Sequence, residues 1–187
     1  MKKGIGILVI VAIVGISVVW MTMDRVSNEG DMKQAASGSS KEIDVKKEIN
    51  QIADELNQEY PTEADQVVEI HNQLMGIAYK YPMDDEAIKS YVETIRELYS
   101  NEFKELNPQE SQIEALKKEH ETMSGEQMEL VISEVTEVYV AQNDQGEAIG
   151  AEVNVLHATN QGSTVRTYLL TKEDGKWKIN GWENEKS

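Results

Sequence analysis

Three histidines and seven tyrosines are the residues of this chain best suited to proton transfer or ligand recognition. His71 stands among Val67, Val68, Leu74 and Met75 at helical spacing, and His157 follows Ala151, Val153 and Val155 at alternate positions of a strand-like run. A histidine on an apolar face is most often a core residue. Two that face one interior, with a hydroxyl donor between them, could form an acid–base or metal site provided their rings lie within about 8 Å. Tyr79, Tyr91, Tyr99, Tyr139 and Tyr168 are the available donors. Of these, Tyr99 and Tyr139 join His71 and His157 as candidates to line a pocket. Tyrosine facing a core usually packs its ring and keeps its hydroxyl at the rim.

Other chemistries are poorly served. There is no cysteine, which removes disulfides, thiolate metal sites and cysteine nucleophiles. His120-Glu121 lacks the second histidine of a zincin helix. The segments Asn143 to Glu147 and Asp174 to Lys178 fail the acidic spacing of a calcium loop, with Lys176 where a ligand oxygen should stand. No glycine-rich phosphate loop and no nucleophile elbow occurs, and no aspartate falls inside an apolar stripe. The expectation is therefore no metal, no cofactor and no catalytic set. The formal net charge is −16, and with Lys2 and Lys3 set aside 16 basic side chains face 34 acidic ones. Such a surface repels phosphate backbones, which argues against a nucleic-acid partner.

The elements that must position the histidines follow from periodicity. Val45, Ile49, Ile52 and Leu56 make a narrow apolar stripe on a helix over residues 41–60, with Ser39 and Glu42 at capping-box spacing. That stripe suits either the body of the domain or self-association in a coiled coil. A second helix, capped by Thr62, carries Ala64, Val67, Val68, His71, Leu74, Met75 and Ala78 on a face wide enough to lie on a sheet. Asp84 caps a third helix whose buried face runs from Ile88 through Tyr99 to Phe103. A short helix restarts at Asn107-Pro108, and Ser124-Gly125 closes the helical half. Four strand-like runs follow, Met128 to Ala141, Glu147 to Ala158, Ser163 to Lys172 and Lys176 to Trp182, separated by turns short enough for hairpins. Helices first and an antiparallel meander afterwards predict an α+β domain over residues 61–187.

The N-terminus predicts an anchor. Gly4 to Met23 is a stretch of 20 residues without a charge, enough to cross a hydrocarbon core of about 30 Å. Lys2 and Lys3 place the stub 1–3 in the cytoplasm and the rest outside. A cleavable signal peptide fits less well, because the apolar region is long and Trp20-Met21-Thr22-Met23 offers no small-x-small site. Residues 24–40, ending in AASGSS, read as a flexible tether.

The closing run Asp174-Gly175-Lys176-Trp177-Lys178-Ile179, after helices and a meander, resembles the nuclear transport factor 2-like (cystatin-like) superfamily. The helical segment YPMDDEAIKSYVETIRELYSNEFKELNP, joined to an anchor, is similar to an uncharacterised domain-of-unknown-function family of Gram-positive clostridial bacteria. The resemblance implies a cone in which helices pack on a curved four-stranded sheet around a pocket. It implies no particular chemistry. The leading expectation is a non-catalytic binding or protein-interaction module of the bacterial cell envelope, with an envelope protein or small ligand as its partner. Two alternatives stay open: an assembly scaffold of secretion type that associates through residues 41–60, and an isomerase- or hydrolase-like enzyme using the pocket.

Overall fold

The computed structural model describes residues 44–126 and 130–184, so the apolar stretch 4–23, the tether 24–40 and the Ser39-Glu42 pair lie outside the described residues. Among the described residues no helix is long and apolar enough to cross a membrane. Five helices precede four strands, giving an α+β fold: α1 (Val45–Gln58), α2 (Ala64–Lys80), α3 (Asp85–Arg96), α4 (Asn101–Leu106), α5 (Gln109–Glu126), β1 (Leu130–Gln142), β2 (Ala148–Thr159), β3 (Gly162–Glu173) and β4 (Lys176–Asn184). The sheet is open and antiparallel, in the order β1-β2-β3-β4.

Helix α1 begins at Asp44, whose carboxylate accepts from the Lys47 backbone N–H at 3.0 Å. Its stripe of Ile49, Ile52 and Leu56 is buried in the same core as the sheet residues Val153, Tyr168 and Ile179. The face that could have served a coiled coil is thus occupied by the chain's own core. Helix α2 lies across the sheet and buries both edges of its wide stripe, Val67 and Val68 on one turn and Leu74 and Met75 on later ones. It starts one residue later than its sequence suggests. Glu63, not Thr62, is the cap, and the Glu63 backbone N–H donates to Gln66 Oε1 at 3.3 Å.

The third helix does not run to Phe103. It stops at Arg96, and Leu98 to Ser100 leave helical geometry to join β4: Ile179 N donates to Leu98 O at 2.8 Å and Ser100 N donates to Ile179 O at 2.9 Å. A side-chain cap restarts the chain as α4, with Ser100 Oγ accepting from Phe103 N at 3.0 Å. Arg96 ties this junction to the next helix, donating through Nη1 to Asn107 O at 2.5 Å and Gln112 Oε1 at 2.9 Å, and through Nη2 to Lys104 O at 3.3 Å. Helix α5 continues through Ser124-Gly125 to Glu126 instead of closing before them.

The hairpins form where the turn residues predict. Asp174 and Gly175 both take positive φ, 50° and 77°, the pair of values a two-residue type I′ turn requires. Their tight turn pairs Glu173 with Lys176 and fixes the register of β3 on β4. On the inward face of the sheet, Ala151, Val153, Val155 and His157 of β2 lie beside Arg166, Tyr168 and Leu170 of β3, with Trp177, Ile179 and Trp182 of β4 beyond.

Candidate functional site

Register places the interior polar residues next to one another. Ser133 of β1 pairs with His157 of β2, Val153 with Tyr168 of β3, and Tyr168 with Trp182 of β4, so their side chains rise from one face in adjacent rows. Helix α2 sets His71 and Asn72 above that face, and the α3–α4 link adds Tyr99. His71, Tyr99, His157 and Tyr168 are all 2% exposed or less.

The Tyr168 hydroxyl is the hub. It lies 3.3 Å from His71 Nδ1, 3.4 Å from His157 Nε2 and 3.4 Å from Asn72 Oδ1. The remaining nitrogens are also engaged: His71 Nε2 is 3.3 Å from the Tyr99 hydroxyl, and His157 Nδ1 is 3.0 Å from Ser133 Oγ. One assignment of protons satisfies every group. Tyr168 donates to Asn72 and accepts from His71 Nδ1–H and His157 Nε2–H, while Tyr99 and Ser133 donate to the bare nitrogens. Both imidazoles are then neutral. Burial first, and the positive charge of Arg166 second, hold His71 down to about 3 and His157 down to about 4.

Aromatic rings wall the cluster. The His71 ring centroid is 5.2 Å from that of Tyr168, 5.7 Å from Trp182 and 5.9 Å from Tyr99. Arg166 is buried beside them, with its Nε donating to Asn184 Oδ1 at 3.0 Å. On the α5 side, the Tyr79 hydroxyl donates to Glu119 Oε1 at 3.2 Å. Burial pushes the Glu119 carboxyl up to about 7, against the opposing effects of the Tyr79 hydroxyl and Arg166. Glu119 Oε2 and the Tyr91 hydroxyl are buried with no hydrogen bond among the described residues. Toward solvent the cluster reaches an open depression of about 570 Å³ between α2 and β1, lined by Glu69, Asn72, Gln73, Ser133, Glu134 and Val135. Two of those residues reach into the buried cluster: Asn72 accepts from the Tyr168 hydroxyl, and Ser133 bonds His157.

The structure brings His71, Tyr99 and His157 together and leaves Tyr139 out. Tyr139 is 55% exposed, pairs with the outward-facing Glu152, and its hydroxyl donates to Glu137 at 3.0 Å. A register shift between Val135 and Glu137 precedes it, and β1 beyond that bulge is exposed on both faces. The two histidines meet at the Tyr168 hydroxyl oxygen, and no group of three or more metal-ligating side chains exists among the described residues. Sequence reasoning missed Arg166, Asn72, Ser133 and Glu119, and named Tyr168 only as one donor of five. The signal for Arg166 was its parity: it shares the strand face of Tyr168 and Leu170.

Over residues 1–182 the chain matches the family model described as Domain of unknown function (DUF6715), and it belongs to that family. No curated protein and no solved structure matches it.

Proposed function

We propose that this is a membrane-anchored binding module of a bacterial cell envelope, with a nuclear transport factor 2-like cone whose interior holds a small ligand without transforming it. One observation carries the binding reading: a hub hydroxyl, two neutral imidazoles and a buried arginine are gathered inside an aromatic wall, next to buried polar atoms that have no partner among the described residues. Burying polar groups without partners is unfavourable, by about 1 to 3 kcal/mol each. A site that receives a ligand recovers that loss when occupied. The histidines stay neutral well below neutral pH and sit among hydroxyls, an arrangement suited to accepting and donating fixed hydrogen bonds. Turnover would call for a base poised near neutrality beside the bound molecule. Glu119 comes near that range, but it is bonded to Tyr79 on the α5 side.

The anchored, outward-facing topology rests on the uncharged stretch from Gly4 to Met23 and its basic N-terminal flank. A thermal-shift screen of the full chain in detergent micelles against small polar metabolites tests the interior site. Compounds that bind there raise the melting temperature of the wild type and lose most of that shift in Tyr168→Phe. A screen with no hits, or hits that shift both proteins equally, would sink the reading.

A further inference from the structure

Arg166 is 2% exposed and forms no ion pair among the described residues. Its hydrogen-bond partners there are neutral, the Asn184 carboxamide, whose Oδ1 accepts from Nε at 3.0 Å, and the Tyr168 hydroxyl. Its guanidinium carbon stands 5.4 Å from the Trp182 ring centroid and 5.9 Å from that of Tyr168, contacts that return part of the desolvation penalty. No carboxylate among the described residues pairs with the terminal amino groups of the fork. Packing alone explains the stacking but not the buried charge, because an arginine taken out of water without an anion is strongly disfavoured. The nearby acid does not answer it. Among the described residues Glu119 is bonded to Tyr79 through one oxygen and bare on the other, with no ion pair to the guanidinium. The Tyr91 hydroxyl, 1% exposed as a residue and equally without a partner, is a further unfilled donor in electrostatic reach of Glu119, Tyr99 and Tyr168.

We propose that Arg166 is the anion-binding group of the interior site and that the ligand is a small monocarboxylate, held by the guanidinium fork with its body against Tyr168 and Trp182. This rests on the interior-site reading above. A planar fork matches the two oxygens of a carboxylate. A single charge is favoured because Arg166 is the one buried cation among the described residues and both histidines are neutral, so a dianion would be left half uncompensated.

Benzoate and its neutral isostere benzamide, with inorganic phosphate as the dianion control, separate the possibilities in thermal-shift titrations of the full chain. Benzoate is expected to bind at least about tenfold more tightly than benzamide, a difference of about 1.4 kcal/mol. Arg166→Met, which removes the buried charge, should raise the melting temperature of the ligand-free protein and abolish the benzoate shift. Arg166→Lys keeps the charge but not the fork, and should retain a weakened shift if Arg166→Met does not fold. Equal shifts from benzoate and benzamide, unchanged in the Arg166 variants, would leave an interior site but overturn its anionic ligand. A larger shift from phosphate would overturn the monocarboxylate, and no shift from any probe would overturn the inference.

Discussion

Replacing Tyr168 by phenylalanine removes one oxygen and keeps the ring, so the change isolates the hub of the buried cluster. Three groups lose their partner at once: His71 Nδ1, His157 Nε2 and Asn72 Oδ1, at 3.3, 3.4 and 3.4 Å. A buried polar group left unsatisfied loses about 1 to 3 kcal/mol. These contacts are at the long end of hydrogen bonding, which argues for the lower figure and a total of about 3 kcal/mol. For a domain of this size 1 kcal/mol moves the midpoint by about 4 °C, so Tyr168→Phe should melt about 12 °C lower. Circular dichroism melts and urea titrations of the full chain in micelles read the loss directly. Tyr139→Phe is the matched control: its hydroxyl is exposed and bonded only to Glu137, and its removal should change stability by less than about 0.5 kcal/mol. If the two variants lost equal stability, the hub would not be the fully bonded network that the geometry describes.

Stability should depend on pH through the same residues. His71 and His157 have folded values near 3 and 4 against an ordinary 6.5, so below about pH 6.5 the unfolded chain takes up two protons that the folded chain refuses, and stability falls as pH falls. Glu119, raised to about 7, acts oppositely between about pH 4.5 and 7, leaving a net loss of about 1.4 kcal/mol per pH unit in urea titrations from pH 6.5 to 4.5. Glu119→Gln removes that opposing effect: the variant should be more stable than wild type by up to about 3 kcal/mol at pH 8, and little changed at pH 5. Arg96→Ala should lose about 3 kcal/mol in the same titrations, since it strips charged donors from two backbone carbonyls and Gln112 at the α3–α4–α5 junction.

Much of this architecture is legible in the residues. The wide stripe of α2, the cap at Asp84 and the Asp174-Gly175 turn each carry a local signal, and each forms where that signal lies. The break after Arg96 does not announce itself, because Leu98, Tyr99 and Phe103 keep helical spacing across it. What ends the helix is a bond to Ile179, some eighty positions away, and only the Ser100 cap hints at the restart locally. The site divides in the same way. His157 follows from alternation on β2, and the short turn at Asn160-Gln161 then sets Val155 opposite Arg166 and Val153 opposite Tyr168. Reading strand faces by their apolar members alone hides a charged residue on the inward face. Tyr139 misleads for the converse reason: its strand alternates well, but a bulge in β1 turns it outward with Glu152.

Native mass spectrometry of the full chain, purified in detergent from its own cells and released from micelles, tests most directly whether the interior cluster is a ligand site. The expected spectrum of the wild type shows the protein with one small molecule retained, and that of Tyr168→Phe shows the bare protein alone. A wild-type spectrum containing only the bare mass, or an adduct held equally by both proteins, would mean that the cluster is a polar core and not a binding site.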